Sequence, residues 1–181
     1  GAGEPDFPTP ENIKNAGVAA IQNNFTKYTP TAGIAELKKA IQASYQAEQG
    51  YGAKDNQIVV SPGSKFGLFL LLQAVIDPGD EVIVPLPYWV SYPEMVKFCG
   101  GLVVHADHLQ PERLFELTAA SYISKCSART KAVIVNSPSN PTGKVMSGSE
   151  LGELIDFFHK KNILVIVDDC YRKIIYTDGE Y

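Results

Sequence analysis

The sequence predicts an α/β fold with a mainly parallel sheet covered by helices on both faces. Three observations predict it. Short β-branched segments alternate with stretches of helical periodicity along the 181 residues. Those segments are apolar throughout, as strands buried on both sides are. The conspicuous polar and aromatic residues fall just after them, at the carboxyl ends where open α/β sheets bind ligands.

Each element has its own signal. Thr9-Pro10-Glu11 is a helix start, with proline acceptable in the first turn, and Ile13, Ala16, Gly17, Ala20 and Ile21 mark one face. Residues 30–34 interrupt it, and a second helix with Leu37, Ile41 and Tyr45 four apart ends near Gly50. Ile58-Val59-Val60 reads as the first strand. Residues 64–77 read as a helix apolar nearly all round, which should be buried. Pro78-Gly79-Asp80 turns into a second strand, Glu81 to Val84, which must stop before Pro85. A helix is expected over 89–98, a third strand over 102–105, helix plus loop over 111–130, and a fourth strand over 132–135. Ser147 and Glu150 form a capping box for a helix with Leu151, Leu154, Ile155 and Phe158 on one face; Ile163 to Val167 is the fifth strand.

Composition narrows the function. Charged residues make up 20% and the net charge is -4, with no Lys/Arg run, so an electrostatic nucleic-acid surface is not expected. The longest apolar stretches fall short of the ~20 residues of a membrane helix. Cys99, Cys126 and Cys170 are odd in number and widely spaced, which suits a reducing cytoplasm better than a disulfide framework. Neither CxxC nor HExxH occurs, so no metal site is expected.

Four groups follow the predicted strands. Gly63-Ser64-Lys65 opens a helix, where backbone N–H groups and the helix dipole suit a phosphate, although neither Walker nor dinucleotide glycine spacing is present. Trp89, the only tryptophan, lies beyond a strand end where its ring could stack on another flat ring. Asn140 sits in the turn-rich Ser139-Asn140-Pro141-Thr142-Gly143, and Asp168 and Asp169 close an apolar strand. Taken singly, each has an ordinary reading as a strand-to-helix turn, a core aromatic, a turn former or a helix cap.

Taken together, they resemble the class I/II aminotransferases of the pyridoxal-phosphate (PLP) fold-type I superfamily, most nearly the bacterial-type aspartate enzymes. The resemblance is carried over almost the whole chain by Gly3-Glu4-Pro5-Asp6-Phe7, Tyr28-Thr29-Pro30-Thr31-Ala32-Gly33, Pro62-Gly63-Ser64-Lys65 and Pro78-Gly79-Asp80-Glu81-Val82. It continues through Pro87-Tyr88-Trp89-Val90-Ser91-Tyr92-Pro93, Asn136-Ser137-Pro138-Ser139-Asn140-Pro141-Thr142-Gly143 and Asp168-Asp169-Cys170-Tyr171.

The resemblance implies a role for each matching residue. Gly63, Ser64 and Lys65 match the phosphate cup. Trp89 matches the aromatic that stacks on the pyridine ring. Asn140 matches the donor to the cofactor's 3′-oxygen that also reaches the substrate α-carboxylate. Asp168 matches the carboxylate facing the pyridine nitrogen, Tyr171 a second donor to the 3′-oxygen, and Tyr28 a tyrosine reaching the neighbouring subunit's phosphate. Gly3 matches a backbone contact near the substrate carboxylate. Lys65 can also lean toward the distal carboxylate of an acidic substrate, or serve only as a solvated neighbour of the phosphate. Asp169 has no role in the resemblance.

The implied protein is a homodimeric aminotransferase moving an amino group between an amino acid, acidic or aromatic, and a 2-oxo acid. Residues 1–34 would reach toward the dimer interface and active site, and 35–181 would form part of the PLP-binding large domain. The Schiff-base lysine is expected after Tyr181, as are further strands and the small domain, so no catalytic residue of that kind is expected within the chain. The alternatives are a non-catalytic PLP-binding module and another fold-type I enzyme such as a carbon–sulfur lyase.

Overall fold

The computed structural model describes residues 6–107 and 118–176. Packing divides the chain into two compact units, Gly1–Ser61 and Pro62–Tyr181. The division expected after residue 34 separates segments by role, not by packing, and so asks a different question.

In the first unit, α1 runs Glu11–Gln22 and α2 runs Ala35–Gln49. Pro10 precedes the first turn of α1, and Gly50 ends α2 in the left-handed region at φ 66°. Buried Lys38 of α2 pairs with Asp55 at 2.9 Å. Gly33 has φ 104°, and a Cβ there would stand 2.5 Å from Val60 Cγ2, so this turn admits only glycine. Residues 58–60 are extended, and the Val60 N–H donates to the Ala32 carbonyl at 3.0 Å, but they join no ladder. The first of the five expected strands is therefore absent from the described sheet: β-branched propensity extends a segment, and only a neighbouring strand makes it part of a sheet.

The second unit holds four strands, β1 Glu81–Pro85, β2 Leu102–Ala106, β3 Thr130–Asn136 and β4 Leu164–Asp168. All pair in parallel, in the order β2-β1-β3-β4. Helices cover the strand connections: α3 Ser64–Val75, α4 Ser91–Phe98, α5 Ala119–Ile123 and α6 Gly148–Lys160. The central strands alternate between two cores. Val82, Val84, Ala132 and Ile134 pack with Leu72 of α3 and Tyr92 and Val96 of α4. Ile83, Val133 and Val135 pack on the other face with Tyr122 of α5 and Leu154 and Phe158 of α6. Each such fully buried side chain contributes about 1.5–3 kcal/mol of transfer free energy, which is why the middle positions of these strands are apolar while Glu81, Thr130 and Asn136 stand at their ends.

Local differences from expectation have local causes. The helix expected over 89–98 starts at Ser91, because Tyr88 and Trp89 still belong to the turn leaving β1. Within 111–130, the helix found among the described residues is α5, capped by Thr118, whose Oγ1 accepts from the Ser121 N–H. The capping box of α6 is half made. Ser147 Oγ accepts from the Glu150 N–H at 3.3 Å, while the Glu150 carboxylate accepts from the Ala119 N–H and so ties α6 to α5.

Helix α3 is not buried all round. Leu72 is enclosed, but Phe66, Leu70 and Leu71 are exposed, because only one face meets the sheet. Phe98 of α4 is 72% exposed, and β2 and β4 are open edges of the described sheet. Apolar faces beside unpaired strand edges drive association. The 181-residue chain is accordingly expected to self-associate in light scattering; a monodisperse 19.7 kDa monomer with a sharp cooperative melt would contradict this. No helix among the described residues is long and apolar enough to cross a membrane.

Candidate functional site

From β1 the chain moves to β2 on one side, while β3 lies on the other, so the sheet changes direction between β1 and β3. In doubly wound sheets that crevice, outside the carboxyl ends of the strands, is where ligands bind. The turns leaving β1 and β3 carry Trp89 and Asn140, and Asp168 is the last residue of β4.

Gly63 precedes α3 at φ 88°, a conformation open to glycine, and no side chain caps the helix. The first turn of α3 therefore presents backbone N–H groups and the positive end of a twelve-residue helix. Ser64 of that turn and Asp168 line the same cavity of about 340 Å³, together with Gly67, Leu68, Leu71 and Cys170. Lys65 turns toward the β1 exit: its Nζ lies 5.3 Å from the centre of the Trp89 ring, a cation–π contact.

All three oxygens of Asp168 accept hydrogen bonds. Its Oδ2 accepts from the Tyr92 hydroxyl at 2.7 Å and its Oδ1 from the Cys170 N–H at 3.4 Å. Its backbone carbonyl accepts from Asn136 Nδ2 at 2.9 Å. Asn136 Oδ1 accepts in turn from the Asn140 N–H at 2.7 Å, so one side chain at the end of β3 fixes both Asp168 and the Asn140 turn. Burial, reinforced by the Asp168 carboxylate, holds the Tyr92 hydroxyl well above the ordinary tyrosine range, so it acts as a neutral donor. Burial and the same carboxylate push the Cys170 thiol up to about 12, which keeps it out of thiolate chemistry.

The expected site residues therefore divide. Ser64 and Asp168 share a cavity, Lys65 and Trp89 touch, and Asn140 is joined to Asp168 through Asn136. Tyr171 is half-buried in the turn after β4, and Lys173 is exposed in the same turn. Asp169 faces Arg172, with 4.0 Å between carboxylate and guanidinium nitrogen. Tyr28 is fully exposed in the first unit, and Gly3 lies outside the described residues. Sequence reading missed Asn136 and Tyr92 as site residues. The signal for Asn136 was available, since it is the polar side chain that ends the apolar run at 132–135.

This sheet, with its switch point and its helix start at the strand ends, is the architecture of a fold-type I transferase large domain. The chain belongs to the class I and II aminotransferases, the family that matches residues 1–181; that family uses PLP. The chain is 43% identical to an aspartate aminotransferase of Bacillus sp. strain YM-2, over 100% of this chain and 46% of that protein. It is 45% identical to the aspartate/prephenate aminotransferase of Nitrosomonas europaea, over 99% of this chain and 45% of that one. Among solved structures, the aspartate aminotransferase from Thermus thermophilus with maleate aligns at a TM-score of 0.94 and 44% identity, covering 99% of this chain and 47% of that chain. The aromatic aminotransferase from Pyrococcus horikoshii OT3 aligns at 0.93 and 35% identity, covering 100% and 48%. The chain thus spans about half the length of the curated relatives it matches.

Proposed function

We propose that the intact protein is a PLP-dependent aminotransferase acting on an acidic amino acid and a 2-oxo acid, and that this chain supplies most of its cofactor site. The observation that carries the reading is the cavity shared by Ser64 and Asp168. One end offers helix N–H groups to an anion and the other a carboxylate to a cation, which fits a molecule that is a phosphate ester at one end and a protonated pyridine at the other. PLP, when bound, supplies an electron sink for the substrate's Cα carbanion.

The chain's residues then have distinct tasks. Gly63, Ser64 and Lys65 hold the phosphate, and Trp89 covers one face of the ring. Asp168 keeps the proton on the pyridine nitrogen. Asn140 and Tyr171 donate to the 3′-oxygen, and Asn140 with Gly3 orients the substrate carboxylate. Tyr28 reaches the phosphate of a second subunit in a homodimer, with 1–34 as the segment that spans between sites and 35–181 as part of the large domain. A lysine beyond Tyr181 moves the substrate's Cα proton. The reducing setting that three unpaired cysteines suit is the cytoplasm.

Lys65 supports the acidic substrate, because a cation beside the ring site favours a second carboxylate over an apolar side chain. The structural relative bound to maleate, a dicarboxylate, agrees with this. Steady-state assays of the intact protein with aspartate and with phenylalanine as donors test it; kcat/KM is expected to favour aspartate, and a preference for phenylalanine would move the protein to the aromatic class.

Trp89→Ala is expected to loosen PLP without unfolding the protein. The ring loses stacking of ~0.5–1.5 kcal/mol beyond area burial. Titrating apo-protein with PLP by absorbance measures this. Unchanged affinity and spectrum with a lowered melting temperature would make Trp89 a core aromatic only.

A further inference from the structure

A second cavity, of about 270 Å³, opens beside the connection from β3 to α6. Asn136, Thr142, Lys144 and Met146 line it from that connection, Tyr122 from α5 and Glu150 from α6. It shares no lining residue with the cavity of Ser64 and Asp168. Three of its polar groups have no partner among the described residues. Tyr122 is 0% exposed, and its hydroxyl makes no hydrogen bond. Burial holds that hydroxyl above the ordinary tyrosine range, so it stays neutral. Glu150 gives one carboxylate oxygen, Oε2, to the Ala119 N–H and leaves Oε1 open. Lys144 is exposed, and its ammonium pairs neither with Glu150 nor with any other described carboxylate. The backbone nearby is already satisfied. The Lys144 N–H donates to Thr142 Oγ1 at 3.3 Å and the Met146 N–H to Ser137 Oγ at 2.9 Å.

We propose that this cavity is a binding site for a free α-amino acid with a small apolar side chain. The three open groups are a cation, a carboxylate and a neutral hydroxyl. A zwitterion meets the first two at once, its carboxylate on Lys144 and its ammonium on Glu150 Oε1, whereas a simple ion leaves one of them unpaired. The Tyr122 hydroxyl can donate to the same carboxylate or accept from the same ammonium. A buried hydroxyl with no protein partner is a group that native structures satisfy by water or ligand. Volume separates those two occupants. One water takes ~30 Å³, so the cavity has room for a body of several carbon atoms. Pro87, Val145 and Met146 give it apolar walls, which suit a short aliphatic side chain and penalise a further charge. The site also stands behind the Asn140 turn. Asn136 lines it, and Asn136 Oδ1 accepts from the Asn140 N–H at 2.7 Å, so an occupant abuts the side chain that seats that turn.

Calorimetric titration of the intact protein with L-valine tests the proposal. The wild type is expected to bind it saturably. Lys144→Ala should weaken binding roughly tenfold or more, as for a lost charged contact, and Tyr122→Phe about fivefold, as for a lost neutral one. Both variants should fold, since Lys144 is exposed and phenylalanine keeps the Tyr122 ring in place. Two smaller probes separate the charges. 3-Methylbutanoate lacks the ammonium and 2-methylpropylamine lacks the carboxylate, and each should bind roughly tenfold or more weakly than valine. Valine binding that both variants leave unchanged would lie at some other place and overturn the proposal. Equal affinity for valine and either single-charge probe would overturn it as well, because no zwitterion is then being read. No saturable heat with valine would leave the cavity and the Tyr122 hydroxyl to water alone, and would also overturn it.

Discussion

Replacing Asp168 by alanine in the intact protein is expected to lower kcat/KM on the order of 10²-fold or more, about 2.7 kcal/mol of transition-state stabilisation. Replacing its neighbour Asp169 is expected to cost far less. The two carboxylates are adjacent in sequence and identical in composition, so only their surroundings separate them. Asp168 receives the Tyr92 hydroxyl and the Cys170 N–H, its carbonyl is pinned by Asn136, and it lines the cavity with Ser64. In the proposed function an anion held there keeps the proton on the ring nitrogen of bound PLP, and its loss would weaken the electron sink. Asp169 lies 4.0 Å from Arg172 and is more than a third exposed, a pair of the kind worth ~0–1 kcal/mol. Steady-state kinetics of the two alanine variants decide the matter. Equal losses would mean that the wrong carboxylate has been assigned.

The 181 residues alone are expected to show no transaminase turnover. The proposed chemistry needs a lysine that holds the cofactor and moves a proton at Cα. Of the lysines near the site, Lys65 lies over the Trp89 ring at the α3 start, and Lys173 is exposed in the turn beyond β4. Neither lines the cavity that Ser64 and Asp168 share. Coupled assays with aspartate and 2-oxoglutarate, against a control of free PLP in buffer, test the expectation. Turnover above that control would show that a lysine within the chain suffices.

Much of this arrangement was legible in the sequence because its causes are local or periodic. The strands at 81–84, 102–105 and 132–135 are apolar runs bounded by Pro, Gly or polar turns, and each is found within a few residues of its expected limits. Gly50 and Ser147 act at their own helix ends. What misled was information the local sequence does not carry. Ile58 to Val60 has strand composition, but whether it joins a ladder depends on a partner elsewhere in the chain. The run at 64–75 is apolar on every face, but how much of it is covered depends on what packs against it. Glu150 reads as half of a capping box, but it found the Ala119 N–H, 31 residues away.

The candidate site shows the same division. Ser64, Trp89, Asn140 and Asp168 could be picked out one by one, because each follows a strand or opens a helix. Their joints could not. The Tyr92–Asp168 hydrogen bond spans 76 residues and the Asn136–Asp168 bond 32. Both exist only once β1, β3 and β4 lie side by side in register, with Asn136 opposite Asp168.

The central claim is that PLP lies between the α3 start and the end of β4, phosphate on Ser64 and ring nitrogen on Asp168. A crystal structure of the intact protein with PLP tests it most directly. The account predicts the phosphate within hydrogen-bonding distance of the Ser64 hydroxyl and the first N–H groups of α3, Trp89 against the ring face, and the ring nitrogen at roughly 2.7–2.9 Å from an Asp168 oxygen, as for a charge-assisted bond. A ring nitrogen facing Asp169 or solvent, or a phosphate seated away from α3, would contradict it.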